Sequence, residues 1–148
     1  MAASNTMMSL PKLEEYLSAK GYRLTDQRRA LLQVLWEADC CLTAQELYTR
    51  VLAARPGTNF STVYRNLEVL NQLGVICLVD NGQQAHAFEL NVDGAHHHHI
   101  VCRSCGRTRR LDFCPFDAWS GPEGFVCVEH KFEVYGYCES CSPKARKR

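Results

Sequence analysis

Apolar residues recur at helical spacing in four stretches of the first half of the chain, and the pattern then changes to short strand-like runs. Leu10, Leu13 and Leu17 share one helical face, with Ser9 before them, Pro11 in the first turn and Gly21 past the end. That order of cap, proline and glycine predicts a helix. Thr25 is a good N-cap for a second helix carrying Ala30, Leu31, Val34 and Leu35. Thr43-Ala44-Gln45-Glu46 reads as a capping box ahead of Leu47, Val51 and Leu52. A fourth helix is predicted over residues 61–73, ended by Gly74. It buries Val63, Leu67, Leu70 and Leu73 and exposes Ser61, Tyr64, Arg65, Glu68 and Gln72.

Residues 75–79 and 85–90 then read as two strands around Asp80-Asn81-Gly82-Gln83, and Asn-Gly between such runs predicts a hairpin. Short helices followed by a hairpin are the plan of a winged helix-turn-helix. Residues 91–95 are turn-rich and predict a link to a second unit. From His96 onward the chain turns to histidines, cysteine pairs and strand-like runs at 125–128 and 131–135, with a short helix expected at 115–119.

Composition narrows the function classes. The balance of 46% hydrophobic and 22% charged residues is globular. No apolar run approaches the roughly 18 residues of a membrane span. No basic-then-apolar leader stands at the N-terminus, so no membrane association and a cytoplasmic location are expected. Net charge is only +1, and residues 1–82 hold eight basic and eight acidic side chains, so DNA binding has to be argued from motif rather than charge. Nine cysteines in such a chain point to metal or catalysis before disulfides.

Cys102-x-x-Cys105 and Cys138-x-x-Cys141 form two knuckles, each able to share one tetrahedral ion, and together they predict a closed four-thiolate zinc site. A strand–helix–strand unit is expected between them. His96-His97-His98-His99 is the second signal. In a strand leading to Cys102, alternation sends His96 and His98 to one face and His97 and His99 to the other, so one segment can feed two metal sites. For one site, Cys77 faces His86 if Asn81-Gly82 is a two-residue turn, whereas a four-residue loop would bring Glu89 near it. For the other, His130 is available with Asp117, or Asp112 as its rival. Cys40, Cys41, Cys114 and Cys127 read as small buried hydrophobes. The stretch Phe60-Ser61-Thr62-Val63-Tyr64-Arg65 suits a recognition helix, because Arg, Tyr and Ser/Thr reach base edges and phosphates.

These motifs together resemble the ferric uptake regulator family over nearly the whole chain. The matching stretches are residues 23–28, 43–48, 61–67, 96–106 and 130–141. The resemblance implies an α+β protein with a winged helix-turn-helix DNA-binding domain over 1–90 and a hinge at 91–95. A small α/β metal-binding dimerisation domain would span 96–148. It also implies a homodimer on a palindromic double-stranded DNA operator, structural and regulatory zinc (Zn2+), and DNA contacts by Tyr64 and Arg65, which match the family's DNA-contacting positions; Arg23, Ser61 and Thr62 are expected to join them. Where the iron-sensing pattern has His-His-Asp-His, this chain has His98 at the third position. Where that pattern has His before the third helix, it has Cys41. With Cys77 added, the chain is similar to the zinc uptake branch, whose usual role is repression of zinc uptake. The segment 111–119 departs from the family's usual helix. The rival expectations are an iron- or peroxide-responsive regulator of the same family, and, from another class, a zinc-binding thiol enzyme or zinc chaperone. No hydrolase-like Glu beside a His pair favours an enzyme.

Overall fold

The computed structural model describes residues 8–82, 85–91, 96–128 and 130–142. Four helices lead: α1 (Leu10–Ala19), α2 (Asp26–Glu37), α3 (Ala44–Ala54) and α4 (Phe60–Gln72), with a two-residue strand β1 (Leu42–Thr43) between α2 and α3. The caps act as local chemistry dictates. Ser9 and Thr25 accept from the backbone N–H groups of Lys12 and Arg28. Thr43 and Glu46 form the reciprocal capping box. The fourth helix starts earlier than the apolar periodicity suggests, because Asn59 is its N-cap and takes the Thr62 N–H at 2.8 Å. Gly74, at φ 73°, ends the helical run in a conformation that a side chain would strain.

Leu13, Leu17, Leu31, Leu32, Leu47, Val51, Val63, Leu67 and Leu70 are fully buried in one core shared by the helices, with Ile76 and Phe88 closing it from the hairpin. Each such side chain contributes roughly 1.5–3 kcal/mol relative to exposure. The hairpin is β2 (Ile76–Asp80) and β3 (His86–Leu90), and β1 adds to β3, giving the order β1-β3-β2. Strand β1 is too short for any pattern in the sequence to reveal.

The second sheet is β5-β4-β6, with β4 (His98–Cys102) central, β5 (Thr108–Leu111) antiparallel to it and β6 (Glu133–Gly136) parallel. Between β5 and β6 the expected helix is replaced by a turn. Among the described residues the backbone bonds there are isolated: Asp117 N–H to Cys114 O, Trp119 N–H to Phe116 O and Phe125 N–H to Pro122 O. Residues 125–128, expected as a strand, form none. No ladder to another described strand includes them, and Phe125, Val126 and Val128 are exposed.

Candidate metal centres and nucleic-acid face

The β2–β3 register decides the first centre. Cys77 pairs with Glu89, and Asp80 with His86, so the loop has five residues rather than two. The Asn-Gly signal misjudges it because Asp80 folds the turn differently, its Oδ1 accepting the Gly82 N–H at 2.8 Å. His86 is therefore exposed at the far end of the hairpin and is not among the donors around Cys77.

Glu89 is the centre of that cluster. Its Oε1 meets Cys77 Sγ at 3.6 Å, His99 Nε2 at 2.8 Å and His97 Nε2 in a short contact. Its Oε2 accepts from Cys41 Sγ at 3.1 Å. Two overlapping triads result, Cys77–Glu89–His97 and Cys41–Glu89–His99, each with ligand atoms within 4.8 Å of one another. Burial by itself would raise the Glu89 carboxyl. The hydrogen bonds from His97 and His99, with the charge of His99 and the Cys41 contact, outweigh it and hold the group well below the usual carboxylate range. Burial, with Glu89 beside it, pushes the Cys41 thiol far up. A thiol in that state becomes a thiolate when a cation displaces its proton.

The second centre collects the histidines of the opposite face. His96 and His98, His96 and His130, and His98 and His130 approach through Nε2 at 3.0, 3.0 and 3.2 Å, and Cys114 Sγ lies 3.2 Å from His130 Nε2. Each ring nitrogen carries at most one proton, which can point at one neighbour only, so a triangle of three cannot satisfy itself by hydrogen bonds. A tetrahedral zinc, with Zn–N near 2.0–2.1 Å and Zn–S near 2.3 Å, sets ligand atoms roughly 3.3–3.8 Å apart, and the donors nearly match that spacing. Burial, with His96 and His130 alongside, lowers His98, which favours the neutral imidazole a metal needs.

The carboxylate expected here is absent from the cluster. Asp117 is exposed in the turn, and Asp112 is paired with Arg110 at 3.0 Å. Cys114 lies in the cluster instead and is only half-buried, so its reading as a buried hydrophobe is corrected; Cys41 is buried beside Val79 and Ala87, as read, and also meets Glu89. The sequence held a signal for each. Cys114 stands between Phe113 and Pro115, just before the 115–118 turn and outside both core clusters, and Cys41 occupies the position where the iron-sensing pattern has a histidine.

The four thiols of Cys102, Cys105, Cys138 and Cys141 form the third cluster, also within 4.8 Å, with Cys105 and Cys138 sulfurs 3.7 Å apart. The Cys105 and then the Cys138 backbone N–H pull Cys102 down to about 6, the latter donating at 3.4 Å. Ser104 lowers Cys141, but its neighbours Cys138 and Cys105 push it up to about 11. Such unequal thiols become four thiolates together only around a cation.

On the helical unit, Ser61, Tyr64 and Arg65 are exposed on α4, and Arg23 is exposed in the loop before α2. Thr62 is half-buried and turned back, its hydroxyl donating to Asn59 Oδ1 at 2.9 Å, which leaves it less free to read DNA.

A model of the ferric uptake regulator family matches residues 19–135. The chain is 36% identical over 131 residues to a ferric uptake regulation protein of Staphylococcus epidermidis, covering 87% of this chain and 93% of that one. A counterpart in Staphylococcus aureus is 35% identical over 128 residues, covering 84% and 92%. Among solved structures, a zinc-bound manganese uptake regulator aligns with TM-score 0.74 at 28% identity, over 85% of this chain and 98% of that one. The ferric uptake regulator of Helicobacter pylori aligns with TM-score 0.69 over 90% and 94%, and its 20% identity makes that a likeness of fold.

Proposed function

Because the chain belongs to the ferric uptake regulator family, whose members are dimeric DNA-binding, metal-responsive transcription regulators rather than enzymes, we propose that its metal is zinc and that it controls genes of zinc homeostasis. One observation carries this reading. Both clusters outside the four-thiol set combine imidazoles with thiols, Cys77 and Cys41 in one and Cys114 in the other. Thiolate and imidazole favour zinc, whereas a harder iron(II) or manganese(II) site draws on more oxygen ligands.

In this reading Cys102, Cys105, Cys138 and Cys141 hold structural zinc. Cys77, Glu89, His97 and His99, with Cys41 beside them, form the regulatory centre, and His96, His98, His130 and Cys114 form a second one. The division into a DNA-binding domain over 1–90, a hinge at 91–95 and a dimerisation domain over 96–148 is part of the same proposal. Hinge residues 92–95 lie outside the described residues. A bound ion would supply a bond common to both sides of that hinge. Cys77 and Glu89 contribute from the hairpin, and His97 and His99 from the segment entering β4. These side chains thereby restrict where α4 can stand relative to the second sheet. Only the closed arrangement offers all the donors at once, so it is the one favoured, by a coupling of order 1–3 kcal/mol.

Ser61, Tyr64, Arg65 and Arg23 then face a palindromic operator in two copies, with half-site spacing set by the homodimer. The exposed Phe113, Trp119, Phe125, Val126 and Val128 support a surface covered by the second copy. No described helix is long and apolar enough to cross a membrane. A cytoplasmic location and repression of zinc uptake are the family-based parts of the proposal.

The deciding measurement is binding to a selected palindromic DNA against buffered free metal. Zinc should support tight binding at far lower free concentration than iron(II) or manganese(II). Equal or better support by iron(II) would replace the zinc reading with the iron-responsive one.

A further inference from the structure

The two elements that carry the proposed DNA-facing side chains are bridged by one guanidinium. Arg28 lies in the first turn of α2, where the helix dipole disfavours a cation. Its side chain is nonetheless held there. Nε donates to Asn66 Oδ1 at 2.8 Å, Nη1 donates to the Arg23 carbonyl at 2.7 Å, and the guanidinium carbon stands 4.3 Å from the centre of the Tyr22 ring. Asn66 is buried on the inner side of α4, and its Nδ2 donates to the Thr62 carbonyl at 2.8 Å. Tyr22 is buried too, its hydroxyl donating to the same Asn66 oxygen at 3.4 Å. One planar fork therefore bonds the backbone of the Arg23 loop and the body of α4 simultaneously.

We propose that Arg28 is a positioning residue for operator recognition. It fixes the loop bearing Arg23 onto the helix bearing Ser61, Tyr64 and Arg65, so that the two elements address the duplex in one register. The inference rests on the DNA face proposed above. Lysine keeps the charge but has a single ammonium on a flexible stem, and it cannot reproduce two bonds in fixed directions while stacking on Tyr22. Direct contact between Arg28 and phosphate would have a different signature, a uniform loss of affinity with a smaller salt slope.

The test uses the full-length zinc-loaded protein and compares operator with scrambled DNA at fixed salt for Arg28→Lys, Asn66→Leu, Arg23→Ala and the double variant Arg23→Ala/Arg28→Lys. Arg28→Lys should retain scrambled-DNA affinity and salt slope but lose about tenfold in operator preference. Asn66→Leu, which removes the acceptor from within α4, should lose a comparable amount. The double variant should be no worse than Arg23→Ala alone, since Arg28 acts through the Arg23 loop. Unchanged preference in Arg28→Lys, a salt slope smaller by about one, or additive losses in the double variant would each overturn the proposal. Arg65→Ala is the control for the underlying face. If it leaves operator affinity intact, the DNA face itself is misassigned; if it weakens operator binding while Arg28→Lys does not, only the positioning role fails.

Discussion

Cys77 stands directly opposite Glu89 in the β2–β3 ladder, its sulfur 3.6 Å from the carboxylate that also meets His97 and His99. Cys77→Ser replaces a thiolate by a weak neutral ligand at nearly constant volume. The fold, the dimer and the four-thiol metal should persist, while the free zinc needed for operator binding rises at least tenfold, about 1.4 kcal/mol of metal affinity. His86→Ala, at the exposed end of the same strand, should leave the zinc titration where it is. Superimposable curves for Cys77→Ser and the wild type would place the sensor elsewhere.

The histidine cluster makes a separate prediction through Cys114. Cys114→Ala should lower zinc affinity at that centre by tenfold or more and leave the Cys77 centre unchanged, whereas Asp117→Asn should do nothing. Metal content after dialysis against a graded chelator series reads both. Equal retention in Cys114→Ala and the wild type would remove the thiol from the ligand set.

For the four-thiol cluster, Cys138→Ser should abolish one tightly held zinc per chain and, with it, the dimer or the fold of the second sheet, because closing the site supplies folding free energy. Elemental analysis alongside sedimentation tests this. A well-folded dimer lacking that ion would contradict the structural role.

Tyr22 gives an alkaline limb. Burial, opposed only by Arg28, raises its hydroxyl from an ordinary value of 10.0 to about 12. Between those values the unfolded chain loses the proton while the native chain keeps it, so stability present below pH 10 should drain away as pH rises toward about 12. Tyr22→Phe should show a shallower loss in urea melts over that range. An identical slope in the two proteins would assign the limb to other groups.

Much of the plan is written locally. Caps at Ser9, Thr25 and Thr43, the glycine at 74 and the leucine spacing set the four helices, because each depends on residues within one or two turns. The paired Cys-x-x-Cys motifs and the alternation of His96 to His99 likewise declare that two faces and a closed thiol set exist, since strand geometry fixes which way successive side chains point. Tertiary structure decided which partners those donors meet. The five-residue hairpin loop shifts the ladder so that Glu89, not His86, faces Cys77. The turn after β5 brings Cys114, sixteen residues before His130, to within 3.2 Å of it and leaves Asp117 in solvent. Cys41 reaches Glu89 only because β1 pairs with β3. Periodicity specifies directions along one element, but a metal centre is a meeting of several, and loop length and strand register, which no single segment encodes, settle where they meet.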